Sequence, residues 1–141
     1  MPDTHLILYH KQSTSARTRF LRFRHGGVCG PEALPADATV GDPGGGGNAA
    51  TLQTHPGMLL RATEKTLDLA RGSLVSDAGF HCRVFASADS GDVFLAHFIS
   101  IDPPFEAADA AGAAFIDLTQ ARGLPPAELA LLRLAYEHVL G

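Results

Sequence analysis

The sequence predicts an α+β domain in two layers, an antiparallel sheet of about four strands packed against three helices. Three observations predict it. Short apolar or alternating runs lie at residues 5–11, 17–25 and 80–101, and runs suited to helices at 58–71, 103–122 and 126–140. Their order lacks the strand–helix alternation of a doubly wound parallel sheet. The length of 141 residues suits one domain. Residues 1–141 are therefore read as a single α+β domain carrying a Gly/Pro-rich loop at about 26–55.

The elements follow in chain order. HLILYHK at 5–11 is short and apolar, a strand. After the polar QSTSA, residues 17–25 alternate, with Arg19, Leu21, Phe23 and His25 on one face and Phe20, Arg22 and Arg24 on the other. Residues 26–55 show no periodicity and include GDPGGGGN at 41–48, expected to be the most mobile internal segment or to be held by a partner chain. At about 100° per residue, residues 58–71 place Leu59, Leu60 and Leu67 in one arc and Arg61, Glu64, Lys65, Asp68 and Arg71 in the opposite one. Thr54 is the expected N-cap and Gly72 the expected C′ residue.

FHCRVFAS and VFLAHFISI read as a hairpin about a turn at 89–92, with Ala88 opposite Val93. That register puts Phe80, Cys82, Val84, Val93, Leu95 and His97 on one face, and His81, Arg83, Phe85, Phe94 and Phe98 on the other. Asp102-Pro103-Pro104 then starts a helix expected to run to Arg122, lined by Ala108, Ala111, Gly112 and Ala114. The last helix, 126–140, has Leu129, Leu132, Tyr136, Val139 and Leu140 on one face and Leu131 and Leu134 on a second. A helix apolar on most of its circumference needs cover on more than one side. The neighbouring Ala-rich helix or a second copy of the chain supplies it, and the expectation is a homodimer with Leu131 and Leu134 in or beside the interface.

Composition removes several functions. With 45% hydrophobic residues and a net charge of -4, the chain lacks the signature of disorder. A pI near 5.9 argues against a generally basic nucleic-acid binder. No basic start leads into an apolar leader and no apolar run reaches membrane length, so a cytoplasmic protein without a membrane partner is expected. Cys29 and Cys82 lie far apart outside any CxxC pattern, as free thiols do.

Charge is unevenly spread. Residues 1–30 hold five basic groups and one acid. Arg22 and Arg24, two residues apart on one strand face, suit bidentate contact with a phosphate or carboxylate, with Arg19 nearby; the plain alternative is a solvated strand edge. His81 and Arg83 share a face with Phe85 and Phe98, the mixture of a few polar groups and aromatic walls found in pockets. Cys29 in HGGVCGP has flexible neighbours but no base placed beside it. Cys82 and His97 share a face, yet two ligands are too few for zinc, so no metal is expected. GDPGGGGN lacks the GK[ST] ending of a phosphate loop, and HExxH and GxSxG are absent. The reading is a small soluble binding or accessory protein without a cofactor. Arg19, Arg22, Arg24, His81 and Arg83 are its candidate contacts to a small anionic ligand or an acidic partner. The alternative is a small enzyme using Cys29 or a histidine such as His81.

Overall fold

The computed structural model describes residues 4–41, 56–87 and 89–141. Its strands are β1 (Thr4–Lys11), β2 (Thr18–Arg22), β3 (Cys29–Gly30), β4 (Thr39–Val40), β5 (Leu74–Ala86), β6 (Asp89–Phe98) and β7 (Ala114–Ile116). Its helices are α1 (Gly57–Thr66), α2 (Phe105–Ala110) and α3 (Pro126–Leu140), with a 3-10 turn at Leu118–Gln120. The strands form one sheet in the order β4-β5-β6-β1-β2-β7, and β3 also pairs with β1. β1 runs parallel to β6, with Leu6 opposite Phe94 and Tyr9 opposite His97. The sheet is mixed and curls into a half-barrel.

This corrects the expected antiparallel sheet of about four strands in two layers. Three of the seven strands are only two or three residues long, too short for any periodicity to announce them. The parallel pairing joins segments far apart in the chain, which local pattern does not report. Helices also cover both faces. β1 shows why: Ile7 and Tyr9 point into the core shared with α3, while Leu6 and Leu8 point into the core shared with Leu60 of α1 and Ala108 of α2. A strand buried on both faces is apolar throughout, as HLILYHK is.

Several boundaries move for identifiable reasons. The helix expected to reach Arg122 stops at Ala110, because Gly112 at φ +75 turns the chain and lays β7 against β2, with Phe20 opposite Ile116. Strand pairing overrides the helical preference of the alanines there. The β5–β6 hairpin pairs Ala86 with Asp89 and Cys82 with Val93, so residues 89–92 lie in the strand rather than the turn. The six-residue slip is even, so every side chain keeps its expected face. β2 ends at Arg22, which removes Arg24 from the strand. α1 ends at Thr66, short of Arg71. The proposed cap Thr54 and residues 42–48 of the glycine-rich segment lie outside the described residues.

α3 has the expected bounds, and most of its wide apolar surface, Leu140 excepted, is covered inside one chain. Leu131, Leu132 and Ala135 are fully buried in a cluster fed by β1, β2, β3, β5, β6 and β7, and Leu129, Leu134, Tyr136 and Val139 pack against it. The curl of the sheet, rather than a flat face, supplies the second cover. Among the described residues no helix is long and apolar enough to cross a membrane.

Candidate functional sites

Alternation in β5 breaks after Ser76. Ser76 pairs with Ala96 and His81 with Phe94, so residues 77–80 stand opposite the single residue Leu95. Gly79, at φ +91, takes the left-handed turn that such a bulge requires. The bulge builds a different polar group on each side of the sheet.

On the α3 side, the Asp77 carboxylate accepts the Tyr9 hydroxyl at 2.5 Å and the His97 Nδ1–H at 2.5 Å. His138 Nε2 lies 4.0 Å from Asp77 Oδ2, the oxygen that accepts the Tyr9 hydroxyl. Burial first, then this bond to a carboxylate, push the Tyr9 phenol well above its ordinary value. The carboxylate thus ties the bulge to β1, to β6 and to the end of α3.

On the opposite side, Ser76 and His81 become successive positions on one face and line an open pocket of about 380 Å³. His81 Nε2 donates to Asp92 Oδ1 at 2.6 Å and its ring stacks on Phe94, centroids 5.1 Å apart. The Arg83 Nη1 lies 3.5 Å from the same Asp92 oxygen, and its Nη2 donates to Ser90 Oγ at 2.9 Å. The two hairpin residues singled out from the sequence therefore meet through a buried carboxylate.

A second cavity, about 290 Å³ in volume, lies between the chain after β2, α1 and residues 111–113. The Phe23 N–H donates to Gly27 O at 2.7 Å and the Gly26 N–H to Phe23 O at 2.8 Å, closing a tight turn. Gly26 at φ +97 permits it. Phe23, Pro31, Leu59, Leu67 and Ala111 give the cavity apolar walls, and the exposed Arg24 and His25 line it too. His25 stacks on Phe23 with centroids 5.7 Å apart. A Cβ on Gly112 would come within 3.2 Å of the Arg24 stem, so a glycine there leaves that side chain its place. Arg24 has no ion pair among the described residues.

The three arginines do not converge. Arg19 donates to Gln12 Oε1 at 2.9 Å and lies over the Phe105 ring. Arg22 is exposed and shares the opposite face of β2 with Phe20. Arg24 stands in the turn beyond. The thiols are closed to solvent: burial, helped by Glu128, pushes Cys29 well up, and burial pushes Cys82 to about 11. His97 is bonded to Asp77 rather than placed beside Cys82 as a ligand. Among the described residues no group of three or more His, Cys, Asp or Glu is arranged to hold a metal ion.

Ser76, Asp77 and Asp92 escaped the sequence reading, which started the strand at Phe80. The available signal was Gly79 inside an apolar alternating run, a mark of a bulge. No protein-family model matches the chain and no curated protein matches its sequence, so any functional reading stands on this geometry.

Proposed function

We propose that the protein binds a small anion with an apolar body, an aliphatic or aromatic carboxylate, in the cavity beside Arg24. One observation carries the reading: an apolar cavity is lined by Arg24, whose guanidinium has no carboxylate partner among the described residues. A charge-assisted bond of about 1.5–3 kcal/mol would fix the anion while the apolar walls take its body. Arg19 and Arg83 already have partners, so they support a neighbouring role at most. Of the arginines expected as contacts, Arg24 is the one we assign to the ligand.

Isothermal titration with octanoate and 2-naphthoate, against octanol as the uncharged control, tests this. Arg24→Gln should weaken carboxylate binding about tenfold or more, the equivalent of ~1.4 kcal/mol, and leave the melting temperature unchanged. Equal affinity of wild type and variant, or no carboxylate binding, overturns the reading.

A second copy bound through the C-terminal helix is a narrower proposal than the sequence suggested. Leu131 is unavailable to it, and what supports it is Leu140, 62% exposed at the end of α3.

A further inference from the structure

The polar group beneath the β5 bulge has the composition of a nucleophile site. Ser76 and His81 both line the 380 Å³ pocket. Their β6 partners, Ala96 and Phe94, are two residues apart, which spaces the two along the face by roughly 6.6 Å. The four bulged residues are what make this possible, since Ser76 and His81 are five apart in the chain. Asp92, 6% exposed, holds the far nitrogen of the His81 ring. Donation from Nε2 to a carboxylate leaves Nδ1 as the basic nitrogen. Stacking on Phe94 fixes the ring plane. Among the described residues the Ser76 hydroxyl has no hydrogen-bond partner, so it can turn toward that nitrogen.

We propose that Ser76, His81 and Asp92 form a nucleophile–base–orienting set that hydrolyses small uncharged carboxylic esters in this pocket. The Ser76 Oγ attacks the ester carbonyl carbon while its proton passes to His81 Nδ1. The tetrahedral adduct collapses, the C–O bond to the alcohol breaks, and the leaving oxygen takes the proton from His81. Water, deprotonated by His81, then attacks the acyl carbon; the bond from that carbon to Ser76 Oγ breaks, His81 returns the proton to Oγ, and the carboxylic acid leaves. Residues 77–80 have no registered partner in β6, and Ala78 and Gly79 line the pocket; their backbone N–H groups are the ones we assign to the oxyanion. Asp77 also lines the pocket, with the apolar Pro56, Phe80 and Phe94, a lining that turns away anions and leaves uncharged esters as the substrate class. The direct Ser76–His81 bond is not formed in the free chain; such bonds often tighten only around substrate.

The purely structural reading of the same residues is a cross-strand network that holds β5 to β6. Fluorophosphonate labelling with peptide mass spectrometry, and turnover of p-nitrophenyl acetate and butyrate, separate the two. Expected are a label on Ser76 and ester turnover that Ser76→Ala lowers at least tenfold, with the melting temperature kept. Ser73→Ala, whose hydroxyl bonds Ala70 O away from the pocket, should keep wild-type turnover. Asp92→Asn should lower kcat more than KM rises, while a structural role would show only in the melting temperature. No label and no turnover in the folded wild type, or turnover unchanged in Ser76→Ala, overturns the proposal. Carboxylate binding at Arg24 is measured independently of all these outcomes.

Discussion

His5 is fully buried in β1 with its Nδ1–H directed at Glu32 O, 3.2 Å away, and its Nε2 has no partner among the described residues. Burial lowers its pKa below the ordinary 6.5, and the Glu32 carbonyl offsets this in part. The unfolded chain therefore takes up a proton more readily than the folded one. The contribution of the neutral ring is complete above about 6.5 and is lost as pH falls through the lower folded value. Thermal melts of wild type and His5→Gln at pH 7.5 and 5.0 should show a larger acid-induced drop for wild type; parallel drops would refute it. The sequence showed seven scattered histidines and no way to rank them. His5 and His10 are both buried because β1 is covered on both faces, and a uniformly apolar run does not reveal which of its polar members goes inside.

Two glutamates act as anchors between elements. Glu64 falls in the polar arc of the α1 wheel, yet it is 1% exposed. Its Oε2 accepts the Gly72 N–H at 3.0 Å and the Leu74 N–H at 2.8 Å, and its Oε1 pairs with Arg61 at 3.1 Å. Helical period marks polarity, not whether a loop returns to use it. Glu128, in the first turn of α3, accepts the Val28 N–H at 2.5 Å and the Cys29 N–H at 3.3 Å. Gly27 leaves it room, since a Cβ there would stand 2.4 Å from both carboxylate oxygens. Gly27→Ala must displace this carboxylate or the loop, at a cost of about 1–3 kcal/mol. Urea unfolding measures it, and a change below ~0.5 kcal/mol would show that Glu128 moves aside freely. Local signals place α3 at its observed bounds but miss the Glu128 contacts, which join residues about a hundred positions apart.

At the scale of the molecule, α3 is the centre of the larger core, and its substitution tests the fold directly. Leu131→Ala should cost about 2–5 kcal/mol, read as a lowered urea midpoint at every protein concentration. A cost that appears only at concentrations where the protein self-associates would place Leu131 in an interface instead. For the contact at Leu140, light scattering at micromolar concentration should give a mass of twice 14.8 kDa that falls on Leu140→Glu; 14.8 kDa for wild type overturns the homodimer. The legible parts of the fold were the long, periodic ones: β1, the hairpin faces and α3. The sheet's size, its mixed sense and the bulge were not legible, because each depends on pairings between distant short segments. The candidate sites inherit that difference: His81 and Arg83 were visible on their face, whereas Arg24 was assigned to a strand that had already ended.

The parallel contact of β1 with β6 has a consequence for how the chain emerges from the ribosome. Leu6 meets Phe94, 88 residues later in the sequence. At a synthesis rate of roughly 5–20 residues per second, the most apolar strand waits on the order of 4–18 s for its central neighbour. During that interval β1 has only the brief antiparallel partners β2 and β3 beside it, and the helices that cover its faces have not all been made. Until β6 is made, β1 is an apolar strand with one long edge unpaired.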